Sequence, residues 1–333
     1  MPNFTLDDVR ERTYKARDAW WTVLLVDPLA ARLVRFTANR TGITPNQLTV
    51  GSLFLGLGAA VAFAAASWQF LLLGALLYHL SFTLDCMDGK IARLKGTGSI
   101  FGAWLDYIFD RVRVLACAIA LMGGQYAATG NVAYIWAAVG VVFLDMLRYM
   151  DALEIYKVRT QMRGKLRGLQ EETQRLERAR RRADGADAGL ADPIDRLLGP
   201  DPEADMEDQV VGDRQATSML LQQGFHQRFP WYARVRLMLT RGRVRAHLIS
   251  GIEFQMGVFI VAPLAAAAVP GAIIPVAAVT GAGMLAFELF IIYKFWLSSR
   301  DYGRTLATLE GKVDDLRAGI ARQRQELSPA DST

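Results

Sequence analysis

Charged residues fall in blocks along this chain, and long stretches almost free of charge run between them. Six stretches approach or reach the ~20 residues that an α-helix needs to cross a hydrocarbon core. They cover residues 48–66, 70–92, 100–123, 132–147, 248–269 and 273–295. The connections sort by charge. Segments 66–69, 124–131 and 270–272 carry none. The opposite side is basic throughout: Arg32, Arg35 and Arg40, then Arg93 and Lys95, then Arg148 and Lys157, then Arg300 and Arg304. Basic residues are retained on the cytoplasmic side, so both termini are expected there. The pattern predicts an all-α polytopic membrane protein with six transmembrane helices, multi-pass in the cell (inner) membrane.

Three polar parts lie outside the spans. Leu29, Leu33 and Phe36 give Asp27–Arg40 an apolar stripe with Arg32 and Arg35 beside it, which predicts an N-terminal interfacial helix. A cytosolic helical insertion separates the fourth and fifth spans. It opens Arg-rich, with Ile155, Met162, Leu169 and Leu176 seven apart. It passes through an acidic, Gly/Pro-broken stretch at 185–208 that reads as a linker, and ends in a basic, aromatic segment at 230–238. After the last span, Leu306, Leu309, Val313, Leu316 and Ile320 alternate at three and four, the spacing of a helix packed on the insertion or of a homodimer coiled coil. The expected organisation is 1–47, 48–157, 158–247, 248–297 and 298–333: N-terminal segment, first four spans, insertion, last two spans, C-terminal helix and tail.

Composition changes this picture little. Hydrophobic residues make up 52 % of the 333, and 38 Lys and Arg face 33 Asp and Glu. So mild a basic excess on a membrane protein points to topology and anionic membrane lipid, not to nucleic acid. The first twenty residues lack the short apolar core of a cleavable signal. The two cysteines, Cys86 and Cys117, lie in apolar stretches and suggest neither a disulfide framework nor a zinc site.

The chemistry is carried by four aspartates at the ends of two spans. Asp85, Asp88, Gly89 and Ala92 sit at i, i+3, i+4 and i+7, on one helix face. Gly102, Asp106 and Asp110 follow at i, i+4 and i+8, again on one face. A hairpin turning at Lys95-Gly96-Thr97-Gly98 sets Asp88 level with Asp106 and Asp85 level with Asp110. Four carboxylates then converge about two turns, roughly 10 Å, inside the cytosolic face. Carboxylates so placed must face protein, water or a cation, and four together call for a counter-charge. A hard divalent cation, Mg²⁺ or Mn²⁺, takes oxygen ligands and leaves positions for a phosphate. Cys86 faces away from the stripe, and His79 lies deeper as a core residue. Gly89, Ala92 and Gly102 leave room for a flat base, or simply for close helix packing. Arg93 can fork onto phosphate oxygens.

The stretch D-x-x-D-G-x-x-A-R, eight residues, G-x-x-x-D-x-x-x-D resembles the signature of the CDP-alcohol phosphotransferases (CDP-alcohol phosphatidyltransferases). Its fixed positions are Asp85, Asp88, Gly89, Ala92, Arg93, Gly102, Asp106 and Asp110. The amphipathic helix before the first span and the lead-in from Thr44 to Thr49 resemble that family too; the insertion and C-terminal helix do not. The resemblance implies an enzyme of phospholipid biosynthesis that uses a CDP-linked donor, two divalent cations and an alcohol acceptor, and releases CMP. It implies that Asp85, Asp88 and Asp106 hold metal, with Asp110 as ligand or catalytic base. Asp85, Asp88, Gly89, Ala92, Arg93 and Gly102 would contact the CDP donor.

Other readings are weaker. An aspartate-rich prenyltransferase would need a second aspartate motif on a distant span. A cation transporter would carry polar groups along a through-path. A non-catalytic binding module has no reason to keep all four aspartates. For the acceptor, Arg111, Arg113 and Arg148 are candidates, with Asp145, Glu253 and Glu288 as partners or hydroxyl contacts. The shallow carboxylates suit a lipid-bearing donor such as CDP-diacylglycerol and a small polar alcohol arriving from the cytosol; the converse is a CDP-activated headgroup and a lipid alcohol.

Overall fold

The computed structural model describes residues 3–183, 238–239, 242–245 and 248–327. Every regular element among them is helical. In chain order these are α1 (Leu6–Thr13), α2 (Asp27–Arg40, preceded by a π-helical turn at Thr22–Val26), α3 (Pro45–Ala64), α4 (Trp68–Lys95), α5 (Ile100–Thr129), α6 (Ala133–Ala183), α7 (Gly251–Ala268, with a π-helical turn at Gly257–Val261) and α8 (Ile273–Leu327).

The protein is an all-α polytopic membrane protein. Five helices, α3, α4, α6, α7 and α8, are long and apolar enough to cross a membrane. The expected third span coincides with α5. At 30 residues it has the length, but Asp106, Asp110, Arg111 and Arg113 lie in its first half. Six apolar runs thus become five plainly apolar helices and one that carries the charges of the site.

The chain divides into two compact units, residues 1–150 with 234–290, and residues 151–233 with 291–333. In the first, α3, α4 and α5 pack around Ala59, Phe63, Ala75, Tyr78, Cys117, Ala118 and Leu121. Small residues let these helices approach closely, the usual means of association where hydrophobic burial gives no drive. Thr44 caps α3 in a capping box with Gln47, and Pro45 follows at the first helical position. Gly96 ends α4 in the left-handed region at φ 64°. Ser99 then caps α5 by accepting from the Gly102 N–H at 2.9 Å. The hairpin turn is therefore set by one glycine and one serine.

α2 has the expected bounds, but its packed face is one of small residues. Ala30, Ala31, Val34, Thr37 and Ala38 are buried. Leu29 and Phe36 are exposed and Leu33 is half-buried, so the large apolar side chains turn outward. The N-terminal segment is locked to α4 and to residues 242–245 by buried charges. Lys90 pairs with Asp27 at 3.0 Å, Arg243 meets the same carboxylate at 3.2 Å, and Arg245 pairs with Asp18 at 3.0 Å. Burial pushes the Asp18 carboxyl up, but Arg245 and Lys15 outweigh that and hold it below the usual carboxylate range.

In the second unit, the distal part of α6 runs alongside the distal part of α8. Lys165 pairs with Glu310 at 3.5 Å and Arg317 with Glu172 at 2.5 Å, so the two helices run in the same direction. Met162 and Leu166 of α6 and Val313 and Leu316 of α8 are buried, while Leu306, Leu309 and Ile320 are half-buried. The C-terminal stripe is thus packed on the first helix of the insertion within one chain. The linker expected at 185–208, and all of 230–238 but Met238, lie outside the described residues.

Candidate active site

The hairpin α4–α5 brings one ligand oxygen each from Asp85, Asp88 and Asp106 within 4.8 Å of one another. Helix periodicity puts Asp85 and Asp88 one turn apart on α4, and the short turn through Gly96 folds Asp106 of α5 against them. Asp88 is buried; Asp85 and Asp106 are partly so. Asp106 Oδ1 is buried without a hydrogen-bond partner. An acceptor oxygen left orphaned among two further carboxylates is the donor set a hard divalent cation fits. The triad can hold a metal ion.

A third helix completes the site. Thr49 of α3 donates a short hydrogen bond to Asp88 Oδ2. Ser52, one turn on, donates to Asp85 Oδ1 at 3.3 Å. In the sequence Thr49 only closed the lead-in to the first span, and neither Ser52 nor Ser81 of α4 was a candidate. The available signal was their spacing: Thr49, Ser52 and Gly56 share a face in an otherwise apolar span.

Asp110 stands outside the triad. Its Oδ1 accepts a short charge-assisted bond from Arg113 Nη2, and Arg111 Nη2 lies 4.0 Å from its Oδ2. Arg113 is 1 % exposed. Its Nη1 reaches Ser52 Oγ and Ser81 Oγ, both at 3.2 Å, and Asp85 Oδ1 at 3.4 Å. Arg111 makes a short ion pair with Asp145, whose other oxygen accepts from Gln255 Nε2 at 2.8 Å. Gln255 Oε1 in turn accepts from the Tyr78 hydroxyl at 3.2 Å. Arg148 pairs with Glu288 at 3.2 Å. Glu253 accepts from the Ser250 hydroxyl at 2.6 Å as part of the α7 cap. The three acceptor candidates therefore differ in access: the Arg111 side chain is 18 % exposed, Arg113 2 % and Arg148 6 %.

The small positions also separate. A Cβ on Gly89 would meet Arg93 Nη1 at 3.5 Å, an ordinary contact, so packing does not require glycine there. A Cβ on Gly102 would lie 2.8 Å from Asn46 Oδ1 and 3.0 Å from Ser99 Oγ, so Gly102 lets α3 and the α5 cap close over it. Ala92 is half-buried, and its carbonyl accepts from Thr97 N–H at 3.0 Å in the turn. Arg93 donates from Nε to the Thr13 carbonyl at 3.2 Å. His79 is half-buried and meets the edge of Trp21 with ring centroids 6.4 Å apart. Cys86 and Cys117 are free thiols.

Residues 42–169 match the family model described as CDP-alcohol phosphatidyltransferase. Among curated proteins, a phosphatidylinositol phosphate synthase of Corynebacterium glutamicum is 36 % identical over 89 residues, 27 % of this chain and 37 % of the relative. A CDP-diacylglycerol–serine O-phosphatidyltransferase of Helicobacter pylori is 37 % identical over 107 residues, 32 % of this chain and 43 % of the relative. A bifunctional IPC transferase and DIPP synthase of Aquifex aeolicus is 42 % identical over 69 residues, 20 % of this chain and 15 % of the relative. The similarity thus spans less than half of each relative's own length. The family-model match covers the aspartate hairpin and the α3 helix packed on it, so that residues 42–169 are similar to the CDP-alcohol phosphatidyltransferase family.

Proposed function

We propose that this protein transfers a phosphatidyl group from a CDP-linked lipid donor such as CDP-diacylglycerol to a small polar alcohol, releasing CMP. The observation that carries the reading is the triad of Asp85, Asp88 and Asp106, with ligand atoms within 4.8 Å of one another inside the segment that matches the family. One relative named for a phosphatidylinositol phosphate product and another named for phosphatidyl transfer to serine support a polar acceptor.

In this reading Asp85, Asp88 and Asp106 hold the divalent cations, with Mg²⁺ and Mn²⁺ as the candidates and two ions as the expected number. Bound there, the ions would supply Lewis-acid polarisation of the diphosphate and stabilise the departing CMP. The side chains do the rest. Thr49 and Ser52 fix the rotamers of Asp88 and Asp85, so the carboxylates are oriented before substrate arrives. Gly89 and Ala92 leave the cytosolic mouth open for cytidine, and Gly102 lets the helices close beside it. Arg93 lies at that mouth as a phosphate contact. Asp110 takes the proton from the acceptor hydroxyl as its oxygen bonds to phosphorus and the bond from phosphorus to the CMP oxygen breaks. Of the three arginines, Arg111 is the best placed to meet the acceptor, because it adjoins Asp110 and keeps the most exposure. Arg113 and Arg148 act from deeper positions. The site opens to the cytosol, with both termini on that side.

The test uses the purified full chain with radiolabelled CDP-diacylglycerol, Mg²⁺ or Mn²⁺, and a panel of polyols, amino alcohols and their phosphates. Labelled lipid product with release of CMP is expected from at least one acceptor. No product from any of them, together with CMP release from a soluble CDP-alcohol and diacylglycerol, would reverse donor and acceptor.

A further inference from the structure

Arg113 is the residue whose placement neither the aspartate motif nor helix-end topology explains. It lies three residues beyond Asp110, within α5, and its guanidinium is almost completely enclosed. It spans the hairpin: one nitrogen meets Asp110 of its own helix, and the other meets Asp85 of α4 at 3.4 Å. That second nitrogen also lies 3.2 Å from the hydroxyls of Ser52 on α3 and Ser81 on α4. The Tyr78 ring lies 5.8 Å from the guanidinium carbon. Room for the stem is made by Gly56, where a Cβ would stand 2.6 Å from Arg113 Cδ. Three helices thus each give up bulk or supply a partner for one buried cation.

We propose that Arg113 is a positioning residue and resident counter-cation of the aspartate site. Two of four clustered carboxylates, Asp85 and Asp110, are tied to one rigid planar group. Removing one partner from such a buried set leaves charge uncompensated. A planar fork can hold two carboxylates at a fixed separation, whereas a point charge on a flexible stem cannot. Arg113 therefore keeps the cluster folded when cations leave, and holds Asp110 and Asp85 at the separation the reaction uses. This role rests on the metal-dependent transfer reading above.

The experiment compares full-length wild type with Arg113→Lys, Arg113→Gln and Gly56→Ala. Two quantities are read: kcat at saturating Mn²⁺, and the difference in Tm between Mn²⁺-loaded and chelated protein. In Arg113→Gln the cation must supply the missing charge, so that difference should grow to about twice the wild-type value. A merely structural residue would lower both temperatures equally. Arg113→Lys keeps the charge, so the difference should stay near wild type while kcat falls at least about tenfold. Gly56→Ala displaces the guanidinium without altering any charge, and should follow Arg113→Lys. If Arg113→Gln does not fold, kcat of the other two variants decides. An Arg113→Gln difference equal to wild type, or wild-type kcat in both Arg113→Lys and Gly56→Ala, would overturn the role of Arg113. A wild type that binds no Mn²⁺ by electron paramagnetic resonance would instead overturn the metal-site reading itself.

Discussion

The aspartate hairpin and the paired distal parts of α6 and α8 are both helical and both rich in ion pairs, yet charge does different work in each. Around the hairpin the pairs are enclosed. Lys90 and Asp27 have side chains 5 % and 3 % exposed, and Arg113 is buried between two carboxylates. In the distal pair, Arg317 and Glu172 are 57 % and 38 % exposed. A buried charge commits its surroundings, because loss of one partner strands the other in low dielectric. An exposed pair commits little, since water replaces either partner. The first arrangement suits a site whose geometry must be held, the second a helix pair that needs only solubility and register. Four perturbations test that contrast.

The largest effect is expected at the triad. Asp88→Asn or Asp106→Asn keeps size and removes a charged ligand oxygen, and CMP release should fall on the order of 10²–10³-fold or more. Insertion in the membrane and the helical circular-dichroism signal should be unchanged. Normal turnover in either variant, or in wild type under thorough chelation, would mean the carboxylates are not ion ligands.

Next comes the buried pair outside the site. Asp27→Ala strands Lys90, and the cost in unfolding free energy should be about 3–5 kcal/mol. The double variant Asp27→Leu/Lys90→Met should recover most of it, because an apolar pair of similar volume needs no solvation. Arg243, the second partner of Asp27, is itself 29 % exposed and can turn to solvent. Denaturant titration in detergent measures both. A double variant as unstable as the single would show that the segment depends on the ionic contact itself.

These two predictions rest on features of unequal legibility. The spacing of Asp85, Asp88 and Asp106 was enough to bring them together, because helix period and turn length decide which residues meet across an antiparallel pair; Asp110, expected on the same converging face, stands apart and meets Arg113 instead. Thr49 was named only in the lead-in to the first span, and Ser52 and Ser81 not at all. Their contribution depends on how α3 rotates against the hairpin, which one helix's periodicity does not contain. Arg113 was a candidate for the acceptor, but its link to Asp85 depends on the same rotation. α2 illustrates a further limit. Leu29, Leu33 and Phe36 form the stripe expected to meet the membrane surface, and Leu29 and Phe36 are exposed, but that stripe did not reveal the packed face of Ala30, Ala31, Val34 and Ala38. Beside a bilayer both faces of a helix can be apolar, and size, not hydropathy, marks the side where helices meet. The C-terminal stripe was compatible with a partner in another chain or in this one, because spacing defines a seam and not the helix that fills it.

Glycines sharpen the comparison at smaller magnitude and with opposite signs. A Cβ on Gly124 of α5 would lie 2.7 Å from the Ala64 carbonyl and 2.8 Å from the Phe63 carbonyl, both backbone atoms that cannot swing aside. Gly124→Ala should therefore destabilise by about 1–3 kcal/mol through overpacking. Gly311 in the distal part of α8 has nothing within 4 Å of a new Cβ. Gly311→Ala should stabilise by up to about 1 kcal/mol, the helix-propensity difference. Thermal unfolding of the two variants reads the signs; the same sign for both would break the contrast.

The smallest effect is expected at the exposed pair. Arg317 and Glu172 approach to 2.5 Å, so contact length alone would rank this pair above Lys90 and Asp27 at 3.0 Å. Exposure reverses that ranking. Both long side chains give up rotamer freedom to meet in water, and salt screens what they gain. Arg317 also lies 3.7 Å from Asp314 on its own helix, so its charge keeps a second partner if Glu172 is lost. Met162, Leu166, Val313 and Leu316 are buried in these two helix segments, whereas Arg317 and Glu172 stay exposed. Arg317→Ala should accordingly change stability by less than about 1 kcal/mol, with the small loss vanishing as salt is raised. A loss comparable to that of Asp27→Ala, persisting in high salt, would show that the distal helices depend on their charges as strictly as the hairpin does.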